Sequence, residues 1–156
     1  MKPLPLEGGW FVETYRAKEN LSQSILGKRY VGARNLATAI LYLLKVDTVS
    51  LLHRLKSDEI FHFYLGAPVT MLQLQPNGKS EIITLGRDIL SGQKPQVVIP
   101  QGVWQGAFVR PGGNFALLGC TVAPGYDDDD FEIGDRADLL RRYPDRKKLI
   151  LKLTRG

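Results

Sequence analysis

The stretch Ser50-Leu51-Leu52-His53-Arg54-Leu55-Lys56-Ser57-Asp58-Glu59-Ile60-Phe61-His62-Phe63-Tyr64-Leu65-Gly66 decides the reading of the whole chain. Its first half suits an extended strand, in which residues two apart share a face. His53 and Leu55 then point the same way. Lys56-Ser57-Asp58 reads as a turn that brings Glu59 back beside them. Beyond it, Phe61 and Phe63 share the face of Glu59, and His62 falls on the opposite one. A second segment, Pro100-Gln101-Gly102-Val103-Trp104-Gln105, sets a proline and a glycine ahead of a polar residue. That turn can deliver Gln105 to the same cavity. A barrel built this way converges a histidine, a carboxylate and an amide from two distant segments.

Working outward, short apolar runs separated by Gly, Pro, Asn and Asp dominate the chain. They predict strands at Trp10–Arg16, Lys28–Val31, Ala37–Lys45, Val49–Arg54, Glu59–Leu65, Val69–Gln75, Ser80–Leu85, Gln96–Ile99, Gln105–Val109 and Asn114–Val122. Pro76-Asn77-Gly78 reads as a tight hairpin turn, because Asn and Gly tolerate positive φ. Many short strands at such spacing imply a sandwich or a barrel. The C-terminal part differs. Asp135 can cap a helix, with Asp138 in its first turn and Pro144 blocking continuation. From Lys147 to Leu153, Leu149, Leu151 and Leu153 alternate with Lys148, Ile150 and Lys152, which predicts an edge strand guarded by lysines.

Composition narrows the function classes. The chain has 156 residues, 44% hydrophobic and 24% charged, as expected for one globular domain over 1–156. The first residues lack the basic start and apolar run of a signal peptide, and the longest apolar stretch, Leu36–Leu44, is far too short to span a membrane. A single cysteine, Cys120, cannot form an internal disulfide. A cytoplasmic setting follows as an expectation. The net charge of +5 is concentrated in Arg141–Gly156, next to an acidic stretch running from Asp127 to Asp138. Nucleic-acid binders spread a basic footprint over a face. The pattern instead suggests solvated faces or mutual neutralisation, with neither nucleic acid nor membrane as partner.

The spacing His53, Glu59, Gly66 resembles the first cupin motif, in which a His, a second His two residues on, a Glu and a later Gly recur; Leu55 stands where the second His belongs. Pro100 to Gln105 resembles the second motif, Pro-x-Gly-x-x-His, with Gln105 in the His place. Glu7 to Arg16, Ser57 to Gly66, Thr121-Val122-Ala123-Pro124-Gly125-Tyr126 and Arg142-Tyr143-Pro144 together resemble a family of short single-domain cupins of unknown function, similar in fold to the dTDP-sugar epimerases. The likeness runs in order along nearly the whole chain. It implies an all-β double-stranded β-helix, a jelly-roll barrel, with a short C-terminal helix and the edge strand. One departure is Pro5-Leu6, where the family pattern has His-Pro.

Individual residues carry open alternatives. His53 is a metal ligand or general acid–base group, or else a hydrogen-bonded interior histidine. Glu59 is a ligand or base, or a partner of Arg54 or Arg16. Gln105 suits substrate binding better than ligation. His53, Glu59 and Gln105 could still hold Zn²⁺, Mn²⁺ or Fe²⁺ in an open site. Phe61, Trp104 and Tyr42 are candidate pocket lining, with core packing as the simpler reading of Phe61. Glu13 and Arg16, at odd spacing, are expected on opposite faces, where either could meet a ligand. Tyr42, Tyr64 and Tyr126 are candidate acids. Cys120 reads as a buried hydrophobe.

Three functions follow. The first is an acid–base enzyme, of epimerase or isomerase type, acting on a sugar- or nucleotide-like metabolite. The second is a non-catalytic small-molecule-binding module. The third, ranked last because one motif histidine is missing, is a metal-dependent oxygenase-like cupin. A homodimer is expected through sheet edges, with the Leu149–Leu153 strand able to take part.

Overall fold

The computed structural model describes residues 1–156. Thirteen strands form: β1 (Lys2–Pro3), β2 (Trp10–Arg16), β3 (Asn20–Leu21), β4 (Arg34–Asn35), β5 (Thr38–Lys45), β6 (Val49–Leu55), β7 (Asp58–Gly66), β8 (Val69–Leu74), β9 (Ser80–Leu85), β10 (Gln96–Ile99), β11 (Trp104–Val109), β12 (Phe115–Ala123) and β13 (Phe131–Ile133). Helices α1 (Gln23–Leu26), α2 (Arg136–Arg142) and α3 (Lys147–Lys152) are short. The larger sheet runs β1-β2-β5-β12-β7-β10 and the smaller β13-β6-β11-β8-β9, with antiparallel ladders throughout. Neighbours distant in sequence make this a jelly roll closed around one space.

Alternation fills that space. Tyr42, Leu44, Phe61, Phe63 and Leu118 come from the larger sheet and meet Met71, Ile83, Ala107 and Val109 from the smaller, all buried. The ring of Tyr42 meets Phe61 edge-on at 6.4 Å. Gly66 ends β7 at φ +101, where a Cβ would collide with the Phe115 carbonyl, so the closing glycine of the motif is required by backbone crowding.

The outer face of the smaller sheet is covered. Leu52, Leu72, Leu74 and Trp104 pack beneath Leu139, Tyr143, Ile150 and Leu153 of the C-terminal segment. Asp135 caps α2 by accepting from the Asp138 amide at 2.8 Å, as expected. The outer face of the larger sheet is bare. Register aligns Val12, Leu41, Gly119, His62 and Gln96 in one outward row, and Tyr15, Ala39, Thr121, Ile60 and Val98 in the next. Neither row carries a charge. No helix is long and apolar enough to cross a membrane.

The predicted strands form with bounds shifted by at most one residue at an end, Lys28–Val31 excepted. That segment is a series of turns and bends wrapped around Tyr30, whose hydroxyl donates to the Lys56 carbonyl at 3.0 Å and whose ring lies under Arg29 and Arg34. One buried ring, flanked by Gly27 and Gly32, organises it in place of a ladder. The edge strand at Lys147–Leu153 is also corrected, because the segment is helical as α3. Ile150 and Leu153 are fully buried and Leu149 packs beside them, while Leu151 is exposed. Burial at 149, 150 and 153 follows the helical period, so this segment offers no strand for pairing with another chain.

The acidic run is likewise not wholly solvated. Asp130 is buried and accepts from Arg34 Nε and Nη2 at 2.7 and 2.8 Å.

Candidate functional site

A partly enclosed cavity of about 310 Å³ opens into the barrel. Its walls come from the N-terminal segment (Lys2, Leu4, Pro5, Glu7), from β2, β5 and β12, and from Tyr126 and Asp128 in the segment that follows β12. His53 and Leu55 of β6 and Glu59 of β7 project into it. A larger hollow of about 580 Å³ lies around Arg54, Lys56 and Glu132. It is an open surface where Arg54 pairs with Glu132 at 2.7 Å and Lys56 with Asp130 at 3.7 Å, and it contains neither His53 nor Glu59. The partly enclosed cavity is therefore the candidate site.

The two turns that build the site are bolted together. The Gly102 amide donates to the Leu55 carbonyl at 2.8 Å, and the Gln101 amide to Asp58 Oδ1 at 2.8 Å. Gly102 takes φ +76, a conformation open to glycine. Gln105 then pairs directly opposite His53 in the β6–β11 ladder. It donates from Nε2 to Glu59. His53 and Glu59 thus line the cavity, whereas Gln105, which pairs with His53 and donates to Glu59, is buried and does not line it.

His53 is 2% exposed. Its Nδ1 lies 2.7 Å from the Leu51 carbonyl. A carbonyl only accepts, so Nδ1 carries the hydrogen, and in the neutral ring Nε2 keeps a lone pair. Phe131 stacks on the imidazole with centroids 5.2 Å apart. Nε2 is 3.7 Å from Glu7 Oε2, beyond hydrogen-bond reach, and has no other partner. Glu7 Oε1 accepts from Ser50 Oγ at 2.7 Å.

Burial pushes the Glu59 carboxyl up to about 7; His53 pulls it down, the Glu7 charge raises it, and the Gln105 hydrogen bond lowers it. Burial also pushes the neighbouring Cys120 thiol well up. Tyr126 donates from its hydroxyl to Asp128 at 3.0 Å, and burial followed by that bond raises its phenol.

The other sequence candidates are placed as follows. Phe61 and Tyr42 belong to the core and do not line the cavity; the Tyr42 hydroxyl donates to the Gly8 carbonyl at 2.8 Å. Trp104 faces away from the cavity, because alternation on β11 puts it opposite in sense to Gln105 and under the C-terminal helices. Glu13 and Arg16 share a face instead of dividing between two, since a register shift between Glu13 and Tyr15 resets the alternation. They form an ion pair of 2.7 Å, and Glu13 lines the cavity while Arg16 does not. Among the candidate acids, Tyr64 is exposed on the outer face and Tyr126 lines the cavity.

Glu7, Lys2 and Asp128 were not singled out by sequence. For Glu7 a signal existed, because it follows the Pro5-Leu6 departure, and Pro5 itself lines the cavity.

The cupin motifs imply a metal, and the donors present do not fit one. No group of three His, Cys, Asp or Glu side chains is placed to hold an ion. Leu55 occupies one ligand position with a side chain that cannot coordinate, and Gln105, hydrogen-bonded through Nε2 to Glu59, is not among the residues that line the cavity. No step is routed through a metal.

A jelly roll of this strand order, with a motif histidine and a motif carboxylate facing one internal cavity, is a cupin barrel. The chain belongs to the Cupin superfamily (DUF985), whose family model matches residues 1–134. It is 29% identical over 133 residues to the uncharacterized protein YML079W of Saccharomyces cerevisiae, covering 80% of this chain and 66% of that protein. The chain thus spans just under two thirds of that relative's length. Among solved structures it is similar to protein SO0799 of Shewanella oneidensis, at 34% identity and a TM-score of 0.84, over 96% of this chain and 89% of that one. A hypothetical protein from Leishmania major aligns with a TM-score of 0.87 at 25% identity, over 99% and 93%. Oxalate decarboxylase of Bacillus subtilis, described with Mn(II) centres, aligns at 12% identity and a TM-score of 0.53, over 92% of this chain and 37% of that one, a likeness of fold alone.

Proposed function

We propose that the chain encloses a small polar, sugar-sized metabolite in the barrel and moves a proton on it, with His53 as base and Glu59 as its proton-exchanging neighbour. The observation that carries this is the pairing of a buried imidazole, Nε2 free and facing the cavity, with a carboxyl raised to about 7. Tyr126 lines the same cavity and would serve the acid half of an epimerase- or isomerase-type step by turning to the ligand the hydroxyl proton it now donates to Asp128. The cavity of about 310 Å³ sits at the low end of ligand pockets, about 300–1,000 Å³. It suits one sugar ring, and a nucleotide would extend outside. The test is solvent-deuterium incorporation at the carbon next to the carbonyl in a panel of keto- and aminosugars. Incorporation is expected with the native chain and should disappear in His53→Ala. Binding with no incorporation would assign the second reading, a non-catalytic module, which Leu55 in the place of the second motif histidine favours.

Self-association belongs to the same reading. The bare outer face of the larger sheet offers two uncharged rows, and two copies related by a two-fold axis can stack such faces without opposing like charges. A homodimer of about twice 17.4 kDa is expected in light scattering, converted to monomer by Leu41→Asp. A monomeric mass for the native chain at micromolar concentration would count against it.

A further inference from the structure

The chemistry of the ligand can be narrowed from the hydrogen-bonding sense of the cavity lining. At the end of the cavity around His53, the groups with free capacity are Glu7 Oε2, His53 Nε2 and the Glu59 carboxyl. The His53 Nδ1–H is spent on Leu51, the Ser50 hydroxyl on Glu7 and one N–H of Gln105 on Glu59, and Gln105 itself is not part of the cavity lining. What remains as acceptors is a Glu7 carboxylate oxygen and one imidazole lone pair, with the Glu59 carboxyl, raised to about 7, joining them once it ionises. No arginine lines the cavity, and its one lysine, Lys2, sits at the N-terminal wall with its ammonium 5.3 Å from the Phe11 ring. Glu13 has its own cation in Arg16.

An acidic lining alone would not define a ligand. The independent observation is His53: 2% exposed, its ring fixed by Leu51 and Phe131, and its Nε2 without a partner where it faces Glu7 across 3.7 Å. Nε2 faces the open space of the cavity and, in the neutral ring, offers an acceptor that a donor on a ligand can meet. Glu7 is largely buried, with a serine hydroxyl on one oxygen and, 3.7 Å from the other, His53 Nε2, which is a cation only when the imidazole is protonated. A group with several donors and a positive charge answers all three at once.

We infer that the cavity takes a sugar-sized molecule bearing a protonated amine, whose N–H donors lie between Glu7, His53 and Glu59, and that it disfavours anionic sugars. This rests on the cavity being the functional site, and it holds whether the site catalyses or only binds. A phosphate or carboxylate placed there would face carboxylates with no guanidinium to meet it.

The test is calorimetric titration of the full chain, with a chelator present throughout, using glucosamine, glucose and glucuronate as probes of matched ring size. Glucosamine is expected to bind about tenfold or more tighter than glucose, the scale of a hydrogen bond gaining a charged partner, and glucuronate more weakly than either. Glu7→Gln should bring the ratio of glucosamine to glucose affinity down to about one. The inference is overturned if glucosamine does not bind at millimolar concentration, if glucose or glucuronate binds equally well, or if Glu7→Gln keeps the preference. The two readings fail separately. Amine preference without deuterium exchange keeps the ligand class and removes the catalysis. Exchange on a neutral or anionic sugar, with no amine preference, does the reverse.

Discussion

Replacing Arg34 by alanine should cost about 3–5 kcal/mol of stability, the scale measured when one partner of a buried ion pair is removed. Arg34 and Asp130 are both nearly inaccessible, with side-chain exposures of 3% and 2%. The guanidinium makes a two-pronged contact with the carboxylate and donates from Nη1 to the carbonyls of Val31 and Ala33 at 2.9 and 2.8 Å. Alanine leaves the Asp130 carboxylate buried with only Lys56 Nζ, 3.7 Å away, to answer it. For a chain of this length the loss corresponds to a melting temperature lower by roughly 10 °C or more. The damage should reach the cavity too, because Asp130 immediately precedes Phe131, and Phe131 stacks on His53. The check is thermal unfolding of Arg34→Ala beside Arg34→Met/Asp130→Leu. The double variant removes both charges and should recover much of the loss, whereas equal melting temperatures for both variants would show that the charge left behind is not the cause.

The second large effect concerns pH. The Glu59 carboxyl is raised from 4.5 to about 7 in the folded chain, chiefly by burial. Between those values the folded chain holds a proton that the unfolded chain has released. Stability must therefore fall as pH rises through the window, by about 3 kcal/mol when the shift is converted at 1.36 kcal/mol per unit. Below the window both states are protonated and the contribution is fully retained. Glu59→Gln keeps the size and the polar contact with Gln105 and cannot ionise. The native chain should lose melting temperature from pH 5 to pH 8 by more than the variant does, and the variant should be the more stable of the two at pH 8. Parallel profiles would show that the carboxyl titrates as an ordinary surface acid. The groups facing it, His53, Glu7 and Cys120, stay in place in both proteins, so the difference isolates one proton.

Much of this architecture is readable in the residues because a strand buried on one face repeats every two positions. The runs around Phe61 and Val97 declare themselves in that way, whereas β6 and β8, covered on both faces, are marked by the turns that bound them. The two-residue strands β1, β3 and β4 contain no period to read. The C-terminal segment contains two, since Leu149, Leu151 and Leu153 alternate while Leu149, Ile150 and Leu153 fit one helix face, and packing against Leu52 and Trp104 decides between them. Within the site, the local pattern was enough for His53 and Glu59, which depend on adjacent turns. Glu7 and Asp128 reach the cavity only through the closure of the barrel. The pairing of Glu13 with Arg16 depends on a bulge that no residue in β2 announces.

The walls of the cavity come from distant segments of the chain, from Lys2 to Glu7 on one side and from Tyr126 and Asp128 on the other. A hollow assembled from such remote parts is a property of the finished chain. Closing so long a loop costs entropy that only the last contacts return, and topologies rich in distant pairings fold slowly. Binding competence should therefore arrive late in folding, after the β8–β9 hairpin and the central ladders have formed. Ligand uptake then becomes a stricter gauge of a completely folded preparation than strand content is.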